Sequence, residues 1–428
     1  MGQTEKINIF WFRRDLRLDD NNGLNAALDS ALPVLPLFIF DRNITDELSP
    51  GDPRITFIHD SLLQLNDELT RNDSSLLVKE GLPLKVWEDA VSAFNIGTVF
   101  FNRDYEPYAL KRDAEVTGYL EKKGIEVRSF KDQVIFEEKE IVKPDGLPYT
   151  IFTPYKNAWL RKFRDLSFRK KERSLNFYNY TSVFPGLKDL GFSTSRVKIR
   201  PYDLSNIREY DKSRDFPAKD GTTLLGPYLR FGTVSIRMIV RKAAEENQVF
   251  LGELIWREFF LQILFNYPHV VTGNFRSKYD NITWRNNEAE FSRWCNGETG
   301  YPIVDAGMRQ MNETGYMHNR VRMITAGFLC KHLLTAWCFG EAYFAGKLND
   351  YELSSNNGNW QWAAGTGCDA APYFRIFNPA AQQKKFDPLN EYVRKWVPEF
   401  EKSSYMKPVV NHDTARIRAI EAYKNGLR

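Results

Sequence analysis

Residues 7–12, Ile7-Asn8-Ile9-Phe10-Trp11-Phe12, decide the fold. The run is apolar almost throughout, without polar alternation, which is the pattern of a short strand buried on both faces. A charged run, Arg13-Arg14-Asp15-Leu16-Arg17-Leu18-Asp19-Asp20, follows it. Further strands read at 34–41 (VLPLFIFD), near 75–78, at 97–102 (GTVFFN) and at 124–130 (GIEVRSF). Helical patterns at 54–71, 84–93 and 107–123 lie between them. Strands separated by helices of ten to fifteen residues predict an α/β domain, a doubly wound parallel sheet with helices on both faces. No G-x-G-x-x-G follows the first strand, so the main chemistry is expected elsewhere.

From 131 to 205 the pattern is irregular, broken by Pro144, Pro148, Pro154, Pro185 and Pro201. Its basic segment 161–173 (RKFRDLSFRKKER) reads first as a solvated connector and second as a phosphate-binding patch. Beyond 205 the texture is helical, at 233–247, 249–266, 303–313, 319–338, 340–346 and 388–397. Three parts are therefore expected: an α/β domain at 1–130, an irregular linker at 131–205 and an all-α domain at 206–428. A chain of 428 residues has material for two cores. A net charge of +4, from 59 basic and 55 acidic residues, neither demands nor excludes nucleic acid. Four cysteines form no CxxC pair and no signal peptide is evident, so a reduced, cytoplasmic setting is expected. The scattered His59, His269, His318, His332 and His412 argue against a metal, and no run approaches the ~18–20 apolar residues of a membrane span.

The densest chemistry is in Asn356-Asn357-Gly358-Asn359-Trp360-Gln361-Trp362. Indoles at i and i+2 of a helix point about 200° apart, so one ring faces a core and the other a different environment. Such rings stack on nucleobases and give up electrons to excited acceptors. Asn356, four residues before Trp360, is a neutral amide that can bond to either protonation state of a partner. Glu253, Trp256 and Arg257 share a helix face by i,i+3 and i,i+4 spacing, a pattern that a surface ion pair beside a chance Trp explains equally well. Asn319 and Met323 lie at i,i+4 with Arg322 on the adjoining flank, although a lone Met is most often a core filler. The turn Gly221-Thr222-Thr223-Leu224-Leu225-Gly226 leads into a helix and suits either a phosphate or plain capping.

Together these segments resemble the DNA photolyase/cryptochrome family: WFRRDLRLDDN at 11–21, GTTLLGPYLRFGTVS at 221–235, ELIWREFF at 253–260, GYPIVDAGMRQMNETGYMHNRVRM at 300–323 and NNGNWQWAAGTGCDAAPYFRIFNP at 356–379. The likeness runs nearly end to end and is nearest to class I cyclobutane pyrimidine dimer photolyases. It implies FAD, active as FADH−, in the helical domain. Its holders would be Tyr210, the turn Thr222, Thr223, Leu224, Leu225 and Gly226 (Ser is usual at the last position), Asn319, Arg322, Asp350, Tyr351, Glu352 and Asn356. The substrate implied is a flipped-out thymine dimer in DNA. Trp256 and Trp362 would stack on it, Met323 would pack against it, and Glu253 and Asn319 would bond its carbonyl edges, Glu253 as a protonated acid in an apolar pocket. Arg214, Arg257, Arg320 and Gln382 would meet the DNA backbone.

The activity implied is that of a carbon–carbon lyase driven by blue light. An electron passes from excited FADH− to the dimer, the ring opens, and the electron returns. Trp360, Trp337 and Trp284 match the relay that photoreduces oxidised flavin. Where folate-antenna relatives carry an Asn-Glu pair, this chain has Tyr105-Glu106-Pro107-Tyr108-Ala109, so the identity of any second antenna chromophore stays open. Cryptochrome signalling is the nearest alternative, and a single-strand-binding module is one from another class. A (6-4) photolyase would carry a His pair within 318–323, where only His318 is present. A monomer acting on dimer-containing DNA is expected.

Overall fold

The computed structural model describes residues 5–166 and 174–428, so residues 167–173 of the basic segment lie outside the described residues. Two compact units form: Met1–Glu140 with Lys162–Lys198 and Gly226–Lys242, and Ile141–Arg161 with Ile199–Leu225 and Ala243–Arg428. The chain therefore passes between units more often than three contiguous segments would.

The first unit is a five-stranded parallel sheet in the order β3-β2-β1-β4-β5. The strands are β1 (Lys6–Phe12), β2 (Val34–Asp41), β3 (Leu77–Gly81), β4 (Asn95–Asn102) and β5 (Glu126–Phe130). β1 lies centrally, with Trp11 opposite Leu37 on one side and Phe101 on the other. The pleat sends Phe10 and Phe12 into one core with Phe38, Leu62 and Phe100. Ile9 and Trp11 enter a second core with Leu37, Trp87, Val99 and Leu120. Both faces are covered, which is why β1 carries no polar alternation. The main helices between the strands are α1 (Asn22–Leu28), α2 (Pro53–Thr70), α3 (Pro83–Ala93) and α4 (Pro107–Lys122). The last three begin on Pro, whose missing N–H is not needed there.

The charged run after β1 is an internal ion-pair network. Arg14 reaches Asp104 and Glu106 at 3.1 Å, and Arg230 reaches Glu106 at 2.9 Å. Arg17 and Arg237 grip Asp132 at 2.6 and 2.8 Å. Burial works against the charge of Asp104, but the guanidiniums of Arg14, Arg230, Arg13 and Arg112 hold it well below the usual carboxylate range. At Gly232, φ is +64°, and a Cβ would lie 2.1 Å from the Arg14 carbonyl oxygen, so only glycine fits. These contacts attach residues 226–242 to the sheet unit. They also occupy the antenna-matching segment: Glu106 is held by arginines, Tyr105 donates to Glu137 at 2.9 Å, and Tyr108 donates to Asp41 at 2.5 Å.

The second unit is helical, with no strand among its described residues. Its main helices are α5 (Phe152–Phe163, in this unit as far as Arg161), α6 (Gln248–Asn266), α7 (Pro302–Thr314), α8 (Asn319–Gly327), α9 (Trp337–Lys347), α10 (Leu353–Ala364), α11 (Pro379–Phe386), α12 (Glu391–Trp396) and α13 (His412–Gly426). Two expectations fail here. The single helix expected at 319–338 is broken: α8 gives way to a π turn at Phe328–His332, Leu334 takes φ +52°, and α9 starts at Trp337. Phe328 to Leu333 are all buried, Lys331 and His332 among them, so no change of burial marks the break. The stretch expected to be irregular contains α5, whose buried face is Phe152, Tyr155 and Trp159. Its Pro154 sits in the first turn, where Pro does not break a helix.

Candidate active site

Three helices carry the site. α10 packs against both α6 and α8. Because α10 begins at Leu353, Asn356 and Trp360 share a face. Gly358 admits the Phe260 ring of α6, which a Cβ would meet at 2.2 Å. The two indoles part as their spacing requires. Trp360 is 2% exposed, edge-on to Phe344 at 4.9 Å and to Trp294 at 6.1 Å. Trp362 stays half-buried. Trp337 is buried and donates from Nε1 to Asn274 at 2.9 Å, while half-buried Trp284 lies edge-on to Tyr423 at 5.9 Å. α9 packs on α10, and Asn286 bonds the N–H of Ala336, so the three indoles stand on successive neighbouring segments.

The polar groups are tied down in a definite pattern. Arg322 bonds Asp350 at 2.9 and 3.1 Å and the Met317 carbonyl at 2.8 Å. Asn356 donates its amide hydrogens to the carboxylate of Glu341 at 2.8 Å and to its carbonyl at 3.1 Å. Asn356 therefore turns its own Oδ1 the other way. Burial raises the Glu341 carboxyl, and the amide bond opposes that rise. Asn319 Oδ1 and Ser354 Oγ are buried without a hydrogen-bond partner. Such orphans are costly unless a ligand or water answers them. In the turn before Gly226, Thr222 bonds Tyr316 at 3.0 Å, and Leu224 is held at φ +54°, a conformation that costs a non-glycine residue about 1 kcal/mol or more. Gly226 itself opens a short helix counted with the first unit. Tyr210 is buried edge-on to Phe250 at 5.0 Å, and burial, then the charge of Glu253, lifts its phenol above the usual range.

The cations expected on DNA are each paired with an acid. Arg214 meets Glu253 at 2.5 Å, Arg257 meets Glu352 at 2.7 Å, and Arg320 meets Asp215 at 2.7 Å while lying 4.4 Å over the Phe386 ring. Glu253 is thus half of an ion pair, not the isolated acid in an apolar pocket expected from sequence. Arg257 is drawn inward, its side chain only 13% exposed. Met323 is half-buried with its sulfur 3.5 Å from Arg320 Nη1, Tyr351 is half-buried beside the core, and Gln382 stands partly exposed on α11. Among the described residues no cluster of three or more His, Cys, Asp or Glu could hold a metal, and no helix is long and apolar enough to cross a membrane.

Comparison with known proteins agrees with this geometry. The FAD binding domain of DNA photolyase matches residues 250–404, and DNA photolyase matches residues 8–173. The deoxyribodipyrimidine photo-lyase of Vibrio cholerae is 37% identical over 424 residues, covering 92% of this chain and 90% of its own. The chain belongs to the DNA photolyase family. A bacterial class III photolyase from Agrobacterium tumefaciens superposes with a TM-score of 0.88 at 33% identity, covering 100% of this chain and 98% of its own. An archaeal photolyase from Sulfolobus tokodaii with two FAD molecules gives a TM-score of 0.85 at 34% identity, with 98% and 100% covered.

FAD is the cofactor of this photolyase-family chain, and the residues present fit it. The unanswered Ser354 Oγ, the strained turn at Leu224 and the outward Asn356 Oδ1 are the features of a site completed by a polar ligand. Sequence reasoning missed several residues at the site. Glu341 stands behind Asn356, Asp215 neutralises Arg320, Trp294 touches Trp360 and Phe152 touches Trp256. Only Trp294 carried a signal, as a rare residue; the other three gain meaning through contacts far along the chain.

Proposed function

We propose that this chain reverses cyclobutane pyrimidine dimers in DNA under blue or near-ultraviolet light, as a class I type photolyase. The observation that supports this most directly is that half-buried Trp256 and Trp362 stand on two helices packed together, α6 and α10, with α8, which carries Asn319, packed against α10. FADH−, when bound, supplies an electron on excitation and recovers it after the ring opens. The chain's own groups bind, orient and shield. A dimer stacks poorly in the duplex, so everting it costs less than everting a normal base, and the indoles replace the lost stacking. The unanswered Asn319 Oδ1 accepts the imide N–H of a thymine, a bond an apolar wall cannot offer. When Arg214 turns to a phosphate, Glu253 is released to the pyrimidine edge, so one exchange serves both partners. Asn356, oriented by Glu341, would offer an acceptor to the flavin, and the Arg322–Asp350 pair would help hold it. Trp360, Trp337 and Trp284 would serve outside the repair cycle, carrying electrons from the surface to flavin that has become oxidised.

The test is an oligonucleotide with one thymine dimer, mixed with fully reduced, FAD-loaded protein and held in light or darkness. Chromatography should show separated thymines in the illuminated sample alone. Dimers that persist under illumination would refute the assignment.

A further inference from the structure

We propose that Phe152 is a positioning residue for the lesion: it fixes the plane of Trp256 and thereby the preference for damaged over intact DNA. The inference rests on the stacking role given to Trp256 above. The Phe152 and Trp256 rings lie with centroids 3.6 Å apart and planes 8° from parallel. That is near-complete face-to-face overlap, whereas aromatic pairs left to themselves prefer offset or edge-on contact at about 4.5–7 Å. The two rings are therefore held together by their surroundings.

Those surroundings are visible on both sides. Phe152 opens α5, and its N–H donates to Asp369 Oδ2 at 2.9 Å. α5 is bound to α6 by the Trp159 Nε1 bond to Glu258 at 2.6 Å and by the Tyr155 ring 5.3 Å from Phe259. On the other side, Trp256 meets Phe259 edge-on at 5.5 Å and Phe260 at 5.3 Å and 30°. Phe260 is in turn seated against Gly358 of α10, the helix that carries Trp362. Phe152 is 9% exposed while Trp256 keeps an open portion, so the face under Phe152 is sealed and the remaining indole surface is what a ligand can reach.

Two consequences follow. An indole wedged in this way has little freedom to lose on binding, and ordering a free side chain costs about twofold to tenfold in affinity. The second consequence is selectivity. Stacking on a single ring tolerates every base, because every base has a π face. A cyclobutane dimer differs in holding its two rings at one covalently fixed angle. Rigid indole planes select that angle, whereas a swivelling Trp256 would accept ordinary stacked bases equally well. Phe152 thus acts on discrimination, through Trp256, without touching the reacting bonds.

The experiment compares the parent, Phe152→Leu and Phe152→Tyr in FAD-loaded protein. It measures affinity for dimer-containing and undamaged duplex, FAD content from the flavin absorbance, and thermal midpoint. Phe152→Leu should lose roughly threefold to tenfold in affinity for the lesion, hold undamaged binding within about twofold and keep its FAD. Phe152→Tyr, which restores a flat ring, should recover the preference. Phe152→Met, whose flexible side chain fills irregular gaps, takes the place of the Leu variant if that chain does not fold. Equal losses for both DNAs, no loss, or a gain in lesion affinity would each overturn the inference, the gain by showing that the ring blocks the stacking face. Trp256→Ala is measured alongside. If it binds the lesion as well as the parent, the stacking role of Trp256 fails; if it loses the lesion while Phe152→Leu does not, only the role of Phe152 fails.

Discussion

His318 serves a helix end and a cavity together. Its Nδ1 accepts the Arg320 N–H at 3.2 Å and caps α8, so the ring carries its proton on Nε2, which is buried without a partner. That side chain lines a cavity of about 350 Å³ with Thr222, Tyr316 and Trp396. Burial, helped by Arg322, pushes His318 down to about 4. Above pH 6.5 the ring is neutral in folded and unfolded chains alike. Between pH 6.5 and 4 the unfolded chain takes up a proton that the folded one refuses, so stability falls as the solution is acidified, by on the order of 3 kcal/mol at pH 4. His332, pushed down to about 3 by burial and then by His412, adds to the same trend. His318→Asn keeps a capping oxygen and removes the titration. Its denaturation midpoint should drop less than the parent's between pH 7 and 4.5; parallel slopes would place the acid sensitivity elsewhere. Trp360 invites a different measurement. Replacing it with Phe should slow photoreduction of oxidised flavin at least tenfold, on the order expected when an electron-transfer step loses about 1.4 kcal/mol or more. Repair by prereduced protein should remain, and its loss would break the proposed division between relay and repair.

What the sequence made legible depended on whether an element's signal was local. The sheet was legible because its central strands β1 and β2 are buried on both faces and every strand is bounded by turns; β3 lies two to three residues further along than expected. The opposed faces of Trp360 and Trp362 were legible because helical spacing alone sets them. The break between α8 and α9 was not, since it hides in residues buried on all sides, and α5 was not, since its purpose is the surface of α6. The ion pairs of the site were equally hidden: Arg214 and Glu253, or Arg320 and Asp215, are brought together only by the packing of helices. Helix packing also fixes the sign of one substitution that propensity gets wrong. Gly340 lies inside α9, where Ala would ordinarily gain about 1 kcal/mol. Its Cβ would stand 2.2 Å from Trp360 Cη2 and 2.6 Å from Leu329, and overpacking of that kind costs about 1–3 kcal/mol. A buried indole cannot swing aside, so the cost falls at the upper end of that range and, net of the helix gain, Gly340→Ala should lose on the order of 1–2 kcal/mol in urea denaturation. A variant as stable as the parent would mean that α9 and α10 slide apart easily.

Charge over the whole chain nearly cancels, with 59 basic against 55 acidic residues, and the cancellation is local as well. Arg214, Arg257 and Arg320, the guanidiniums proposed for the DNA backbone, are each held by a carboxylate. Phosphate contacts set the strength of binding to any duplex and carry no information about damage. A protein that masks its cations therefore keeps its grip on undamaged DNA low and leaves selection to the pocket. Level and preference then become separable quantities, with Phe152 governing preference and Asp215 governing level. Asp215→Asn removes the partner of Arg320 and a longer 3.9 Å contact to Arg214, which keeps its 2.5 Å pair with Glu253, while changing the net charge only from +4 to +5. Affinity for damaged and undamaged duplex should rise by the same factor. If the freed guanidinium gains a phosphate, the dependence on salt should steepen by about 0.9 in the log–log slope. Titrations of both duplexes across a salt series measure each quantity. An unchanged affinity would show that the pair already opens without cost when DNA arrives, and a changed ratio would show that Arg320 reads the lesion itself.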